Sequence, residues 1–318
     1  MKLVITGSIA YDYLMSFPGK IADQILPDKL EHISLSFLVD EMKKQQGGTA
    51  ANIAYSLALM GEHPLLAGAV GQDFGPYRDF LEEAGVDTRG AVVFSDAFTA
   101  SFFANTDQVG NQICSFYTGA MKHAEEVTLR SLGVSSEDLV IISPNDPDAM
   151  LMLAEECREL NIPFICDPGQ QMARLNGENL KQFIQGSKLL VLNEYEHDLL
   201  LEKTGFNEDD IGALTDVRIV TLAEHGARIK TSKRTVEIPA ATPDRILDPT
   251  GVGDGFRAGL MKGMINHFSW ETTGRMGCLA ATYVLETEGP QSHQYNLLQF
   301  ADRYVRIYGE SEELNTLL

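Results

Sequence analysis

Positive charge is scarce in this chain. Its 318 residues carry 25 Lys and Arg against 45 Asp and Glu, a formal net charge of -20. A surface this acidic repels a nucleic-acid backbone and argues against that class of partner. It does not exclude one anionic nucleotide, because a few local backbone N–H groups can hold it. Long apolar runs are also missing. No stretch reaches the roughly 18 apolar residues of a membrane span. The opening MKLVITGSIAYD breaks at Gly7, too early for a signal-peptide core. Cysteine is sparse: Cys114, Cys157, Cys166 and Cys278 are scattered, with no close pair. They read as reduced core thiols of a cytoplasmic protein. The seven histidines lack ligand spacing, which argues against zinc.

What is present is ample apolar content, 44% of residues, in a chain long enough for one large core or one large domain with a small attachment. Short apolar runs read as buried strands at Leu3–Thr6, Leu65–Val70, Leu139–Ser143, Pro163–Cys166, Leu189–Leu192 and Arg218–Leu222. Helical period lies between them. Ile53, Leu57 and Met60 share one face, as do Met150, Ala154, Cys157 and Leu160. Strands alternating with helices predict an α/β fold, a parallel sheet covered on both sides. Two regions break the rhythm. Residues 31–40 alternate apolar and polar, and 99–106 with 112–118 read as a hairpin turning at Gln108–Asn111. Extra antiparallel strands beside an α/β core predict a small lid. A second hairpin is expected at Ala227–Thr231 and Thr235–Ile238.

The strongest local signal is DPTGVGDGFRAGL, Asp248 to Leu260. Gly251 and Gly253 let the backbone bend tightly and approach a ligand. The N–H groups of 251–254 then open a helix, an anion site suited to a transferring phosphoryl group. Asp254 at that point can take the proton of an attacking hydroxyl. The plain alternative is a glycine turn with Asp254 as an N-cap. A dinucleotide fingerprint fits poorly, since the G-x-G-x-x-G spacing is incomplete and late in the chain, and no Gly-Lys-Ser/Thr follows for a Walker A loop.

DPTGVGDGFRAG, the earlier GGTAANIAYSLALMG (47–61), GAVGQDFGP (68–76) with Gly71, and NEYE (193–196) occur in an order that resembles the ribokinase (PfkB) family of sugar and nucleoside kinases. Val252 departs from the family's usual Ala, which a hole built of backbone N–H groups tolerates. The resemblance implies a ribokinase-like three-layer α/β/α fold over 1–318, with a lid from about 13–43 and 97–120. It implies ATP as donor, Mg²⁺, and a monovalent cation such as K⁺. Asp254 would be the general base and Gly251, Val252 and Gly253 the anion hole. Ser8, Asp12, Gly48 and Asn52 would bind the sugar, Asp12 accepting from two ribose hydroxyls. Asn193 and Glu196 would organise ATP phosphates, Glu196 reaching Mg²⁺ through water. Thr221 and Gly226 would sit against the nucleotide, and Asp248 and Thr250 at the monovalent cation. Thr6-Gly7, Asp167-Pro168, Asn193, Thr221 and Asp248 all follow expected strands, so the chemistry converges at the carboxyl edge of the sheet.

Three details are similar to nucleoside kinases of the family: Arg257, SPNDP at 143–147, and DPGQQ at 167–171, with Gln170 and Gln171 near the substrate. Phe102 and Phe116, one in each arm of the hairpin, are placed to stack on a base, and a bare sugar offers no such face. Phe103 and Tyr117 alternate to the other side. The expected reaction is transfer of the γ-phosphate of ATP to a nucleoside 5′-hydroxyl, adenosine first. The alternative acceptor is ribose, a fructose sugar or 2-keto-3-deoxygluconate. Partners are small molecules, with neither nucleic acid nor membrane, and a homodimer is expected through the lid.

Overall fold

The computed structural model describes residues 1–25, 31 and 34–318. Thirteen strands are present among them: β1 Leu3–Thr6, β2 Ala10–Ser16, β3 Glu41–Gly47, β4 Leu65–Gly71, β5 Asp87–Phe94, β6 Ala100–Thr106, β7 Gln112–Tyr117, β8 Leu139–Ile142, β9 Phe164–Cys166, β10 Ser187–Asn193, β11 Thr215–Thr221, β12 Ala227–Thr231 and β13 Thr235–Ile238. Nine of them form one sheet in the order β13-β12-β11-β10-β9-β8-β1-β4-β5. Its strands run parallel from β11 to β5, and β12 and β13 are antiparallel at one edge. The central strands β1, β4, β8 and β9 are buried along their whole length, as expected for strands covered on both faces.

Helix Thr49–Leu59 lies in the apolar layer on one side, and helix Pro147–Glu159 on the other. The chain runs from β1 to β4 on one side and returns to β8 on the other, so the order reverses beside β1. A ligand crevice in an open α/β sheet opens at such a reversal, beyond the carboxyl ends of the strands.

The second sheet, β3-β2-β6-β7, is built from the two segments expected to form a lid. It reaches back to Ala10 and forward to Gly47, beyond the 13–43 read from the sequence. The alternating segment 31–40 is described only in part. Residues 32–33 lie outside those described, and 34–40 carry no ladder. Pairing falls instead on EMKKQQG, which aligns Glu41 with Ser16 through Gly47 with Ala10. That strand is mostly exposed and has no apolar period to betray it. The β6–β7 hairpin turns where expected. Asp107 caps it, accepting from the amides of Val109 (3.0 Å) and Asn111 (2.8 Å) and tying in Ile21 N (2.9 Å). Cys114 is exposed on β7, unlike the three buried cysteines, so it is not the core thiol expected.

Candidate active site

Helix Val252–Ile265 opens at the crevice. Its first residue follows Gly251, held at φ +79, where a Cβ would come within 2.5 Å of the Pro290 side chain. Gly251 is the cap, so Asp254 is not the N-cap that a plain glycine turn would make it; it stands inside the first turn. The Val252 amide bends back to the Pro249 carbonyl (3.3 Å), which takes it out of the expected set of free donors. The amides of Gly251, Gly253 and Asp254 have no protein acceptor among the described residues. They are orphan donors of a helix start, suited to an anion. Glycines one turn apart let this helix lie close on helix Trp270–Leu285. A Cβ on Gly259 would meet the Met276 carbonyl at 2.3 Å, and one on Gly263 the Thr273 hydroxyl at 2.7 Å.

Asp254 is buried, and Asn52 Nδ2 donates to its Oδ2 at 2.8 Å. Burial pushes its carboxyl up to about 6, against the pull of the Arg257 charge and the Asn52 hydrogen bond. A base near the working pH is what proton abstraction needs. Arg257, on the same helix, holds Asp167 from β9's end through two nitrogens, with both side chains inside the protein. Burial still raises Asp167 to about 7 despite that partner, with Glu196 and Asp254 adding to the rise. One guanidinium thus answers three carboxylates.

Asp12 faces the same space from the lid. In register, Gln45, Asp12, Phe102 and Phe116 form one row across all four lid strands, and directly opposed residues share a face. Burial and the nearby Asp248 charge raise Asp12 to about 6. Phe102 is half-buried beside it, and Phe116 is 47% exposed at the edge. Tyr13 and Phe103 stack on the opposite face, centroids 4.9 Å apart.

Gly48 caps helix Thr49–Leu59 at φ +92, where any Cβ would strike the backbone of Ser8–Ala10 within 2.7 Å. Ser8 Oγ accepts from Thr49 N (3.0 Å), so it also anchors that helix start. Gln171 is buried, its Oε1 without a partner among the described residues, while Gln170 is exposed.

At the end of β10, Asn193 and Glu196 form a reciprocal capping box, Glu196 N to Asn193 Oδ1 at 2.8 Å and Asn193 N to Glu196 Oε2 at 2.9 Å. Glu196 Oε1 is left over. Thr221 ends β11, and its hydroxyl donates to the Leu192 carbonyl (3.4 Å). Gly226 turns the chain into β12 at φ +93, packed on the backbone of 238–240. Asp248 does not follow a strand: β13 ends at Ile238, and Leu247 is tethered to Leu285 instead (2.9 Å). Burial works against the Asp248 charge, but hydrogen bonds from Thr250 and Gly289 outweigh it and hold the carboxyl below its ordinary value.

Gln291 was not legible in the sequence. It lies past the last motif, and only the fold carries it back to Asn52, to which its Nε2 donates at 2.7 Å.

The sequence profile of the family described as pfkB family carbohydrate kinase matches residues 13–295. The nucleoside kinase of Methanocaldococcus jannaschii is 28% identical over 294 residues, covering 92% of this chain and 93% of that protein. The nucleoside kinase of Burkholderia thailandensis, solved in complex with inosine, superposes with a TM-score of 0.86 at 34% identity, over 97% of this chain and 99% of that one. The same enzyme with ADP and inosine superposes with a TM-score of 0.82 at 36% identity, over 97% and 96% of the two chains.

Proposed function

This chain belongs to the pfkB family of carbohydrate kinases, and from that premise we propose that it transfers the γ-phosphate of ATP to the 5′-hydroxyl of a purine nucleoside, adenosine being the first acceptor to test. The observation that carries the nucleoside reading is the lid row in which Phe102 and Phe116 follow Asp12 on one face. An aromatic face beside a hydroxyl-binding carboxylate suits a base joined to a ribose, and stacking contributes roughly 1–3 kcal/mol. The inosine bound by the Burkholderia relative supports the same reading.

In this scheme the ribose hydroxyls donate to Asp12. Asp254 takes the 5′-hydroxyl proton as that oxygen attacks the γ-phosphorus, and ADP departs. The free amides of Gly251, Gly253 and Asp254 receive the developing charge in a water-poor site. Magnesium, when bound with ATP, neutralises phosphate charge and keeps most of its waters. The residues fit such a hard cation: the donors are carboxylates, and Glu196 keeps an oxygen free of its capping box. Asn193 orients Glu196, and Thr221 and Gly226 border the nucleotide. The Asp248–Thr250 loop is the proposed neighbourhood of K⁺, tested by comparing turnover in potassium and in choline. A lid-mediated homodimer belongs to the same proposal. Met42, Ile113 and Tyr117 stand exposed on the face away from Asp12, and sedimentation decides it.

No helix among the described residues is long and apolar enough to cross a membrane.

A panel assay with Mg-ATP tests the function, following ADP release with adenosine, inosine, guanosine, cytidine, ribose, fructose and 2-keto-3-deoxygluconate. Turnover on nucleosides alone supports the reading. Turnover on a free sugar alone removes the roles given to Phe102 and Phe116. Asp254→Asn should cut turnover by roughly 10²–10⁴-fold while nucleoside affinity holds.

A further inference from the structure

Four buried side chains form a hydrogen-bonded series that ends on Asp254. Tyr77, with no exposed surface, donates from its hydroxyl to the Gly47 carbonyl at 2.9 Å. Gln291 Nε2 donates to that hydroxyl at 2.5 Å and to Asn52 Oδ1 at 2.7 Å. Asn52 Nδ2 donates to Asp254 Oδ2 at 2.8 Å. Gln291 and Asn52 are 6% and 5% exposed, so water does not compete for these amides.

The direction of the series is set at its far end. A backbone carbonyl only accepts, so the Tyr77 proton is committed to Gly47. The Tyr77 oxygen can then only accept, and Gln291 must offer its NH₂ group. That group also meets Asn52, which must present its carbonyl to Gln291 and its own NH₂ to Asp254. Reversing the two amides would leave the Gly47 carbonyl unpaired and turn the Asn52 oxygen toward a carboxylate. Leaving a buried polar group unpaired costs about 1–3 kcal/mol; the present orientation leaves Gln291 Oε1 without a partner among the described residues, and the reversed one would leave Gln291 Nε2 and the Gly47 carbonyl so.

We propose that Gln291 and Tyr77 are positioning residues, which lock Asn52 with its NH₂ on Asp254 Oδ2 and so reserve Oδ1 for the proton of the acceptor hydroxyl. Among the described residues Oδ1 accepts no hydrogen bond. Gly47 closes lid strand β3, and a Cβ there would lie 2.6 Å from Asp12 Oδ2. The series therefore joins the floor beneath Asp12 to the base. This inference rests on the kinase reading for its meaning in catalysis, but its geometry can be tested without turnover.

The test follows the Asp254 carboxyl by ¹³C NMR titration of the full-length, nucleotide-free protein, its resonance assigned by its loss in Asp254→Asn. In Gln291→Glu the new carboxylate accepts from Asn52, which must then turn its oxygen to Asp254. The Asp254 midpoint should rise by about one pH unit or more. The acid limb of kcat/KM should rise with it, and kcat fall by roughly 100-fold with KM for ATP unchanged. Tyr77→Phe keeps the ring and removes only the hydroxyl, so it should shift the midpoint the same way by less. It carries the test alone if Gln291→Glu does not fold. Arg257 and Asp167, the charged groups that act on Asp254, are common to every variant. An Asp254 midpoint that stays put or falls in the variants overturns the assignment. Wild-type protein that phosphorylates neither a nucleoside nor a sugar overturns the kinase reading and leaves this titration intact.

Discussion

Arg257 Nη1 stands 2.7 Å from the point where a side chain on Gly253 would begin. The guanidinium cannot retreat freely, because two of its nitrogens hold Asp167, which is 1% exposed. Gly253 is thus glycine for a packing reason as well as for its open amide.

Gly253→Ala should therefore lower kcat by roughly 10–100-fold, through displacement of the turn that carries the free amides. Helix propensity alone predicts the opposite, a gain of up to about 1 kcal/mol in stability and no catalytic effect. Steady-state kinetics and urea denaturation on the same preparation separate the two. A more stable variant with full kcat would dismiss the steric argument.

Arg257→Leu should cost about 3–5 kcal/mol at pH 8, because it strands the Asp167 charge inside the protein. Denaturation at pH 5 should show a smaller loss, since Asp167, raised to about 7, is already protonated there. Adding Asp167→Leu should recover much of the stability. A loss of equal size at both pH values speaks against the stranded charge.

Asp12 and Asp254 titrate near 6 and Asp167 near 7, all raised from 3.8, chiefly by burial. Between about pH 4 and 7 the folded protein holds more protons than the unfolded chain, so these groups make stability fall as pH rises. Asp254→Asn removes one of them. It should be more stable than wild type at pH 8 by on the order of 3 kcal/mol, with the gain vanishing near pH 4. Wild-type activity should meanwhile fail on the acid side near pH 6, where Asp254 takes a proton. Superimposable stability curves for the two proteins from pH 4 to 8 contradict the assigned shift.

Phe102→Ala should weaken nucleoside binding by roughly 10–100-fold and leave binding of free ribose unchanged. Phe116→Ala should do less, since Phe116 lies one strand farther from Asp12 and is half in water. Calorimetric titration with adenosine and with ribose gives the comparison. Equal losses for both ligands place these rings in lid packing and not against a base.

The parallel core was readable because strands buried on both faces must be continuously apolar. Leu65 to Val70 and Leu139 to Ile142 announce themselves in that way. β3 was hidden because Glu41 to Gly47 is polar and mostly exposed; only its partner β2 makes it a strand. The Gly251–Asp254 turn was readable because tight bends and orphan amides demand particular residues in consecutive order.

From the chain alone came the sheet class, the glycine turn with its carboxylate, and the aromatic pair of the hairpin, since each depends on neighbours near in sequence or on strand period. The tertiary structure alone decided which amides are free, that Arg257 answers Asp167, and that Gln291 reaches Asn52. Those pairs are 90 and 239 residues apart. No local periodicity encodes such a contact. It exists because the fold places the groups together out of water, where a buried donor or acceptor must find its partner.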